Sequence, residues 1–533
     1  MLARTVRSLK RPCPLCSGTA WSPSSSSSSR LASTKAASAR QSSIPAPVVD
    51  LAHVVNAPDA VKRNLRDRNF PFPADQVDHL RAMHLDAARL GKDLQRARER
   101  RNAVSSAPTG GDPDARRREA GEVKKLVKDL EPRLSALTKA VQHLALQLPN
   151  TSHPDVPVGD ETRARLVKTL GPPLPSSPAA TEPERDHLAL SSPANLAWTD
   201  FASSSLTTGS SWPLLLNEAA LVELALTNYA MSVALKHGFT PALTPDVVRS
   251  DVAERCGFRP RDGDAQQTYF LSDGDTGAAS PSSSSSSSST LCLAGTAEVP
   301  LVAMSAAQTF RAADLPLKHV ALGRAFRAEA GARGADSRGL YRVHQFSKVE
   351  MVVVCAEDDS DALLEELRAI QEEILSGLGL SLRVLDMPTQ ELGASAHRKY
   401  DIEAWMPGRG KWGELSSASN CTDYQSRRLG IRYRPSASPS PSSSSPPSSP
   451  SSSPHHPPSP SKLAYAHTLN GTAAAIPRLI VALLENGAVL DDARKPVRVR
   501  LPAVLRPFWL GREGGSDARI EWVDEGEALR AAA

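Results

Sequence analysis

Nowhere in the 533 residues is there an uncharged apolar run of about 18, the length a helix needs to cross a bilayer, so a membrane span is excluded. Cysteine is scarce as well. Six scattered cysteines in so long a chain cannot form a disulfide scaffold, and a reducing compartment is the simpler setting. Acid is missing from one end: the first acidic residue is Asp50, yet Arg4, Arg7, Lys10, Arg11, Arg30, Lys35 and Arg40 precede it. The chain carries 63 Lys+Arg against 58 Asp+Glu, a net of +5. Beyond residue 49 the count is 56 basic against 58 acidic. All of the positive surplus therefore sits in the leader, and any polyanion site further on must be a local patch. The length itself predicts more than one domain and an ample core.

An acid-free leader rich in Arg and Ser has the composition of an organelle transit peptide. Arg4, Arg7 and Arg11 recur at helical spacing with Leu2, Val6 and Leu9 between them, and the unbroken apolar core of a secretory signal is missing. A disordered basic tail is the bland alternative. Residues 1–49 are read as a disordered mitochondrial transit peptide, which predicts import into the matrix. Cys13 and Cys16 form a lone CxxC without a partner pair and are read as incidental.

Residues 50–150 form the next unit. Leu80, Met83, Ala87, Leu90, Leu94, Ala97 and Val104 keep one apolar seam, and Val123, Val127, Leu130, Leu134, Leu137, Val141, Leu144 and Leu148 keep another. A cluster of turn formers, from Ala107 to Pro113, separates them. Two heptad helices joined by a turn predict an antiparallel coiled-coil hairpin, with Pro132 as a candidate kink. From Arg89 to Lys139 the hairpin holds 14 basic and 8 acidic residues. Such charge is often only a solvated face, but a projecting basic rod can also neutralise nucleic-acid phosphates.

Residues 151–185, rich in proline, read as a linker. Residues 186–495 alternate helices and strands: a helix over 214–237, then strand-like runs at Leu317–Leu322, Val343–Phe346 and Val349–Cys355. Ser/Pro-rich tracts at 280–290 and 436–461 cannot bury apolar surface and are read as solvated insertions. Residues 496–533 form a C-terminal extension.

Four clusters in this half carry chemistry. Thr296, Ala297 and Glu298 place a hydroxyl and a carboxylate on a short loop, suited to an ammonium group or a small hydroxyl. Phe326-Arg327-Ala328-Glu329 and Arg342-Val343-His344-Gln345-Phe346-Ser347-Lys348-Val349-Glu350 suit a strand, a polar loop and a returning strand, which would bring Arg327 and Glu350 onto one sheet. The arginine fork suits a phosphate. Phe346 could stack on a base, or could sit in the core of an ordinary hairpin. Glu414-Leu415-Ser416-Ser417 offers carboxylate and hydroxyl oxygens for Mg²⁺; the bland alternatives are a polar loop or a helix cap. Thr468-Leu469-Asn470-Gly471-Thr472 leads into a helix made for burial, in which Arg478 stands alone. An isolated arginine there is ordinarily a surface snorkeller.

The order Thr-x-Glu, Phe-Arg-x-Glu, Arg-Val-His-Gln-Phe-x-Lys-Val-Glu, Glu-Leu-Ser-Ser and Asn-Gly-Thr…Arg resembles seryl-tRNA synthetase, a class II aminoacyl-tRNA synthetase. Leu148-Pro149-Asn150 with the following His153 to Gly159 resembles the stretch after that family's coiled-coil arm, and Gly238 to Pro245 resembles class II motif 1 with Pro245 as its proline. The resemblance implies an α+β catalytic domain, an antiparallel sheet flanked by helices, carrying an N-terminal antiparallel coiled-coil hairpin. It implies ATP-dependent ligation of L-serine to tRNA(Ser) through a seryl-adenylate, with ATP as substrate, Mg²⁺ as cofactor and a homodimer built through motif 1.

By the same resemblance Thr296, Ala297, Glu298, Arg327, Glu350 and Thr472 would bind serine. Arg327, Ala328, Glu329, Val343, Phe346, the run Glu414 to Ser417 and Arg478 would hold ATP, with adenine between Phe346 and Arg478. Glu414 and Ser417 would take the metal, while Arg327 and Arg478 would be catalytic. The hairpin would grip the long variable arm of the tRNA. Where one common family form has glycines, this chain has Ala473 and Pro477, but Thr472 and Arg478 keep their spacing. Three alternatives remain at this point: a non-catalytic tRNA-binding paralogue, a coiled-coil structural protein with a scaffold domain, and a different class II synthetase. Loss of Arg327, Glu350, Glu414 or Arg478 would have favoured the paralogue, and all four are present.

Overall fold

The computed structural model describes residues 44–106, 113–174, 181–258, 267–271, 290–328, 338–435, 463–512 and 519–524, with 527 and 529. The leader to residue 43, the turn at 107–112, Glu329 and nearly all of both Ser/Pro tracts lie outside the described residues. Residues 44–49, expected to belong to a disordered leader, instead pack on the body, where Arg255 Nη1 donates to the Pro45 carbonyl at 2.7 Å and the Val48 amide to the Arg427 carbonyl at 2.9 Å.

Heptad spacing becomes a two-helix hairpin, α1 (Asp75–Ser106) and α2 (Pro113–Ala145). Leu94 and Ala97 of α1 bury against Val127 and Leu130 of α2. Arg98–Glu131 and Arg100–Glu119 pair at 2.8 Å across the two helices. These pairs are roughly half exposed and contribute less than about 1 kcal/mol each, so the apolar seam carries the stability. The expected kink does not break α2, which is helical through Pro132. At the base, two short helices (Ala52–Asn56, Pro58–Asp67) place Val54, Val61 and Leu65 over Leu80, Val141 and Leu148.

A buried cation helps join this helical unit to the rest. The Arg68 guanidinium donates to the carbonyls of Asn150 (3.1 Å), Ala396 (3.1 Å) and Gly393 (2.5 Å). A buried charge needs such partners, because leaving it unsatisfied costs far more than the bonds contribute.

The main sheet of the C-terminal part has eight strands: β1 (Arg165–Leu170), β2 (Thr240–Leu243), β3 (Leu317–Phe326), β4 (Gln345–Cys355), β5 (Leu382–Asp386), β6 (Arg398–Met406), β7 (Lys411–Asn420) and β8 (His467–Ala475). They lie in the order β1-β5-β6-β7-β8-β4-β3-β2, antiparallel throughout except for the parallel β2–β3 pair. Three helices cover the back of the sheet, α3 (Asn217–Lys236), α5 (Ser360–Ser376) and α7 (Ile476–Gly487). There Val222, Leu226, Leu367, Ile370 and Leu479 bury against Met351, Val353, Ile402 and Leu469. Helix α7 is apolar nearly all round because it is enclosed on every side; each of its buried Leu, Ile and Val side chains contributes roughly 1.5–3 kcal/mol. Two short helices, α4 (Glu298–Ala303) and α6 (Tyr424–Leu429), cover one end of the front face, over Val352 and Val354. The uncovered part of that front face is the functional cavity.

Several elements differ from expectation. The helix expected from residue 214 starts at Asn217, since Leu214–Leu215 pairs as a strand with Thr199–Asp200. The runs at 343–346 and 349–355 are one strand from Gln345, with Val343 just outside it. Gly413 to Asn420 is neither loop nor cap but strand β7. The stretch read as a linker contributes edge strand β1, whose residues are almost all exposed and so lack an apolar alternation to betray them. Residues beyond 495 add a small sheet, Ala488–Leu490 with Pro496–Pro502 and Ile520–Val523, which buries Val499, Leu501 and Val523 in the main core.

Candidate active site

Strand alternation gathers the site. Phe346, Lys348 and Glu350 lie two apart on β4 and so share a face. Opposite them on β3 stand only Ala325, Gly323 and Ala321, which leaves room above the sheet. On the other side Thr472 of β8 stands opposite Glu350. Strand β7 needs a bulge to join them. Glu414 is opposite Glu403 and Ser416 opposite Ile402, so Leu415 is the extra residue. That bulge turns Glu414 and Ser417, three apart, onto one face.

The Thr296 loop sits over this surface. A Cβ on Gly323 would come within 2.7 Å of the Ala297 Cβ, so the loop can settle this close only because Gly323 has no side chain. Thr296 Oγ1 donates to Glu350 Oε2 at 3.2 Å and accepts from the Glu298 amide at 3.3 Å. Glu298 is not a loop residue, as expected, but the first residue of α4. Its carboxylate accepts from Gln425 Nε2 at 2.6 Å, and Gln425 is held in turn by the Thr468 hydroxyl at 2.7 Å. Burial, reinforced by the neighbouring Glu350 charge, pushes the Glu298 carboxyl up to about 7. Lys348 Nζ lies 2.5 Å from Glu350 Oε2. Two carboxylates and a hydroxyl on one side of a small buried space suit an ammonium ion and a hydroxyl.

Beyond this corner opens a cavity of about 670 Å³, lined by Arg327, Phe346, Lys348, Glu414, Thr472 and Arg478 among others, with Val343 and Leu415 to Ser417 in the same wall. Phe70 and Gln147 of the helical unit also line it. Phe346 is not a core residue. The Arg327 guanidinium stands over its ring, 5.2 Å from the centroid. Arg327 itself is fixed at the end of β3, where its amide donates to the His344 carbonyl at 2.9 Å. Ala328 follows, its amide bonded to the Gln267 carbonyl at 3.1 Å, and Glu329 lies outside the described residues. Arg478 is not a snorkeller: its Nη1 donates to the Glu414 carbonyl oxygen at 3.0 Å and to its carboxylate at 3.2 Å. Burial alone would raise the Glu414 carboxyl, but Arg478 and Lys399 outweigh it and hold it near 2.

Glu414 and Ser417 offer one carboxylate and one hydroxyl, and no cluster of three or more metal-ligating side chains is present among the described residues. That donor set fits Mg²⁺, which takes few protein ligands and completes its shell with phosphate and water. Sequence reading gave Lys348 no role and did not single out Gln425. Alternation from Glu350 could have found Lys348; nothing in the sequence brings Gln425, on a separate helix, to Glu298.

Residues 48–152 match the family "Seryl-tRNA synthetase N-terminal domain", and residues 283–442 match "tRNA synthetase class II core domain (G, H, P, S and T)". The serine–tRNA ligase of Treponema denticola is 36% identical over 456 residues, 84% of this chain and 96% of that protein. The mitochondrial serine–tRNA ligase of Schizosaccharomyces pombe is 36% identical, covering 86% of this chain and 88% of its own length. Among solved structures, seryl-tRNA synthetase from Pyrococcus horikoshii complexed with ATP superposes with a TM-score of 0.71 at 31% identity, over 86% of this chain and 98% of that one. No helix among the described residues is long and apolar enough to cross a membrane.

Proposed function

Since the chain belongs to the seryl-tRNA synthetase family, we propose that it ligates L-serine to tRNA(Ser) in mitochondrial translation, through a seryl-adenylate. The observation that carries this reading is one front face holding both a carboxylate-and-hydroxyl corner (Glu298, Glu350, Thr296) and a cavity with two inward-turned arginines (Arg327, Arg478).

The serine carboxylate attacks the α-phosphorus of ATP; the bond to the bridging oxygen breaks and pyrophosphate leaves. The nucleophile is already an anion, so no protein base is needed. Glu298 and Glu350 receive the ammonium group, while Thr296, Ala297 and Thr472 complete the pocket around the serine side chain. Alanine, lacking the hydroxyl, would leave these polar groups unpaired and is rejected on that ground. Arg327 bridges the serine carboxylate and the α-phosphate. Its guanidinium stands beside the Phe346 ring, so the phosphate that Arg327 holds and the adenine that stacks on Phe346 are neighbours. Arg478 covers the other face of the base, and Ala328, Glu329 and Val343 surround its edge. Glu414 and Ser417, within the run Glu414 to Ser417, would hold Mg²⁺, which when bound supplies further neutralisation of the triphosphate. Positioning and charge neutralisation by the two arginines do most of the catalytic work. The terminal ribose hydroxyl of the tRNA then takes the seryl group and AMP leaves.

The basic hairpin at 50–150 grips the tRNA by shape and phosphates, and the working unit is a homodimer. Matrix localisation is supported by the acid-free leader over residues 1–49 and by the mitochondrial relatives. ATP/pyrophosphate exchange by the purified protein tests the reading: serine should support it, and threonine, alanine and glycine should not. Exchange independent of serine would overturn it.

A further inference from the structure

We propose that Gln371, a residue behind the sheet and outside the cavity, is a positioning residue that sets the spacing between the ATP-side and serine-side strands. The proposal rests on the assignment of Ser417 to ATP and Thr472 to serine made above. Strands β7 and β8 pair only from Asn420 opposite Leu469 to Ala418 opposite Gly471. One residue further, at Ser417 and Thr472, the ladder stops and the two strands part. Both strands also carry a bulge near this fork, at Leu415 and at Ala473.

Gln371 is wedged under the fork. It lies on α5, fully buried, and its Nε2 donates to the Ser417 carbonyl at 2.7 Å and to the Thr472 carbonyl at 3.0 Å. The amide thus supplies the rung that the backbones no longer make. The assignment of nitrogen to this position follows from chemistry, since both facing atoms are acceptors and only the NH₂ end can serve both. The Ser416 hydroxyl donates to the same Thr472 carbonyl at 2.5 Å. Space for the amide comes from Gly471, where a Cβ would stand only 3.2 Å from Nε2.

The other end of the side chain shows what is being kept. Gln371 Oε1 is buried without a hydrogen-bond partner. An apolar residue of similar size would avoid that desolvation, so it is the two donated bonds that give glutamine its place here. The fork carries the reacting partners: the serine corner includes Thr472 of β8, and the triphosphate wall includes Ser417 of β7. A change in their spacing moves the carboxylate against the α-phosphorus, and a misplacement of about 1 Å costs on the order of 10²-fold in rate.

In the full-length enzyme, Gln371→Leu should lower kcat for serine-dependent ATP/pyrophosphate exchange by about 10- to 100-fold. Adding Thr472→Val should cost less in that background than in the wild type, because the hydroxyl is already misplaced. Should Gln371→Leu fail to fold, Gln371→Met, which keeps the length without donors, reads the same quantity. A lowered melting temperature with kcat and both KM values unchanged per folded enzyme would overturn the proposal and leave Gln371 a packing residue. Failure of the underlying assignment looks different: Thr472→Val alone would then leave the serine KM unchanged, and the two variants would be additive.

Discussion

Glu298→Gln should make the ligand-free protein more stable at alkaline pH while removing its affinity for serine. The folded carboxyl stands at about 7 against an ordinary 4.5, chiefly through burial and then through Glu350. Between those values the folded chain still holds a proton that the unfolded chain has released. Stability therefore falls as pH rises through that window, and above pH 7 the full burden, up to about 3 kcal/mol, is present. Glutamine carries no charge and still accepts the bond from Gln425, so it escapes the burden. Denaturant midpoints at pH 4.5 and pH 8 measure this directly. The variant should be close to wild type at the lower pH and more stable at the higher. An equal difference at both pH values, or a variant less stable at pH 8, would refute the reasoning. The same titration predicts that wild-type kcat/KM for serine is about fivefold lower at pH 6 than at pH 7, as the ionised fraction of Glu298 falls from about a half to about a tenth.

Other outcomes follow from the same geometry. Arg327→Ala should lower adenylate formation by at least about 10²-fold with the fold retained by circular dichroism; unchanged exchange would remove Arg327 from the site. Deleting residues 89–139 should spare exchange but abolish tRNA charging, and charging by the intact protein should weaken steeply with salt. A deletion variant that charges as well as wild type would show that the hairpin does not hold the tRNA. Removing residues 1–43, which stops short of the packed segment from Ile44, should leave activity intact and abolish mitochondrial import, which an organelle import assay reads directly.

The hairpin was legible because heptad spacing is a direct image of helix packing: Leu94, Ala97, Val127 and Leu130 lie in the seam that their periodicity predicts. Strand alternation likewise anticipates that Phe346 and Glu350 share a face. What alternation cannot show is a bulge. By period two, Glu414 and Ser417 should face opposite ways, and only the extra Leu415 in the ladder brings them together. Exposed strand β1 was illegible for the reverse reason, since neither of its faces carries an apolar pattern. Gln425 and Gln371 depend on contacts 127 and 101 residues away. A single glutamine in a helix carries no trace of such a partner.

The central claim is most directly tested by mixing stoichiometric enzyme, serine and ATP labelled at the α-phosphate, with pyrophosphatase present and no tRNA, and isolating the protein. The account predicts a bound seryl-adenylate that accumulates toward one per active site and discharges when tRNA(Ser) is added. Protein that binds ATP and serine yet yields no labelled adenylate would contradict it.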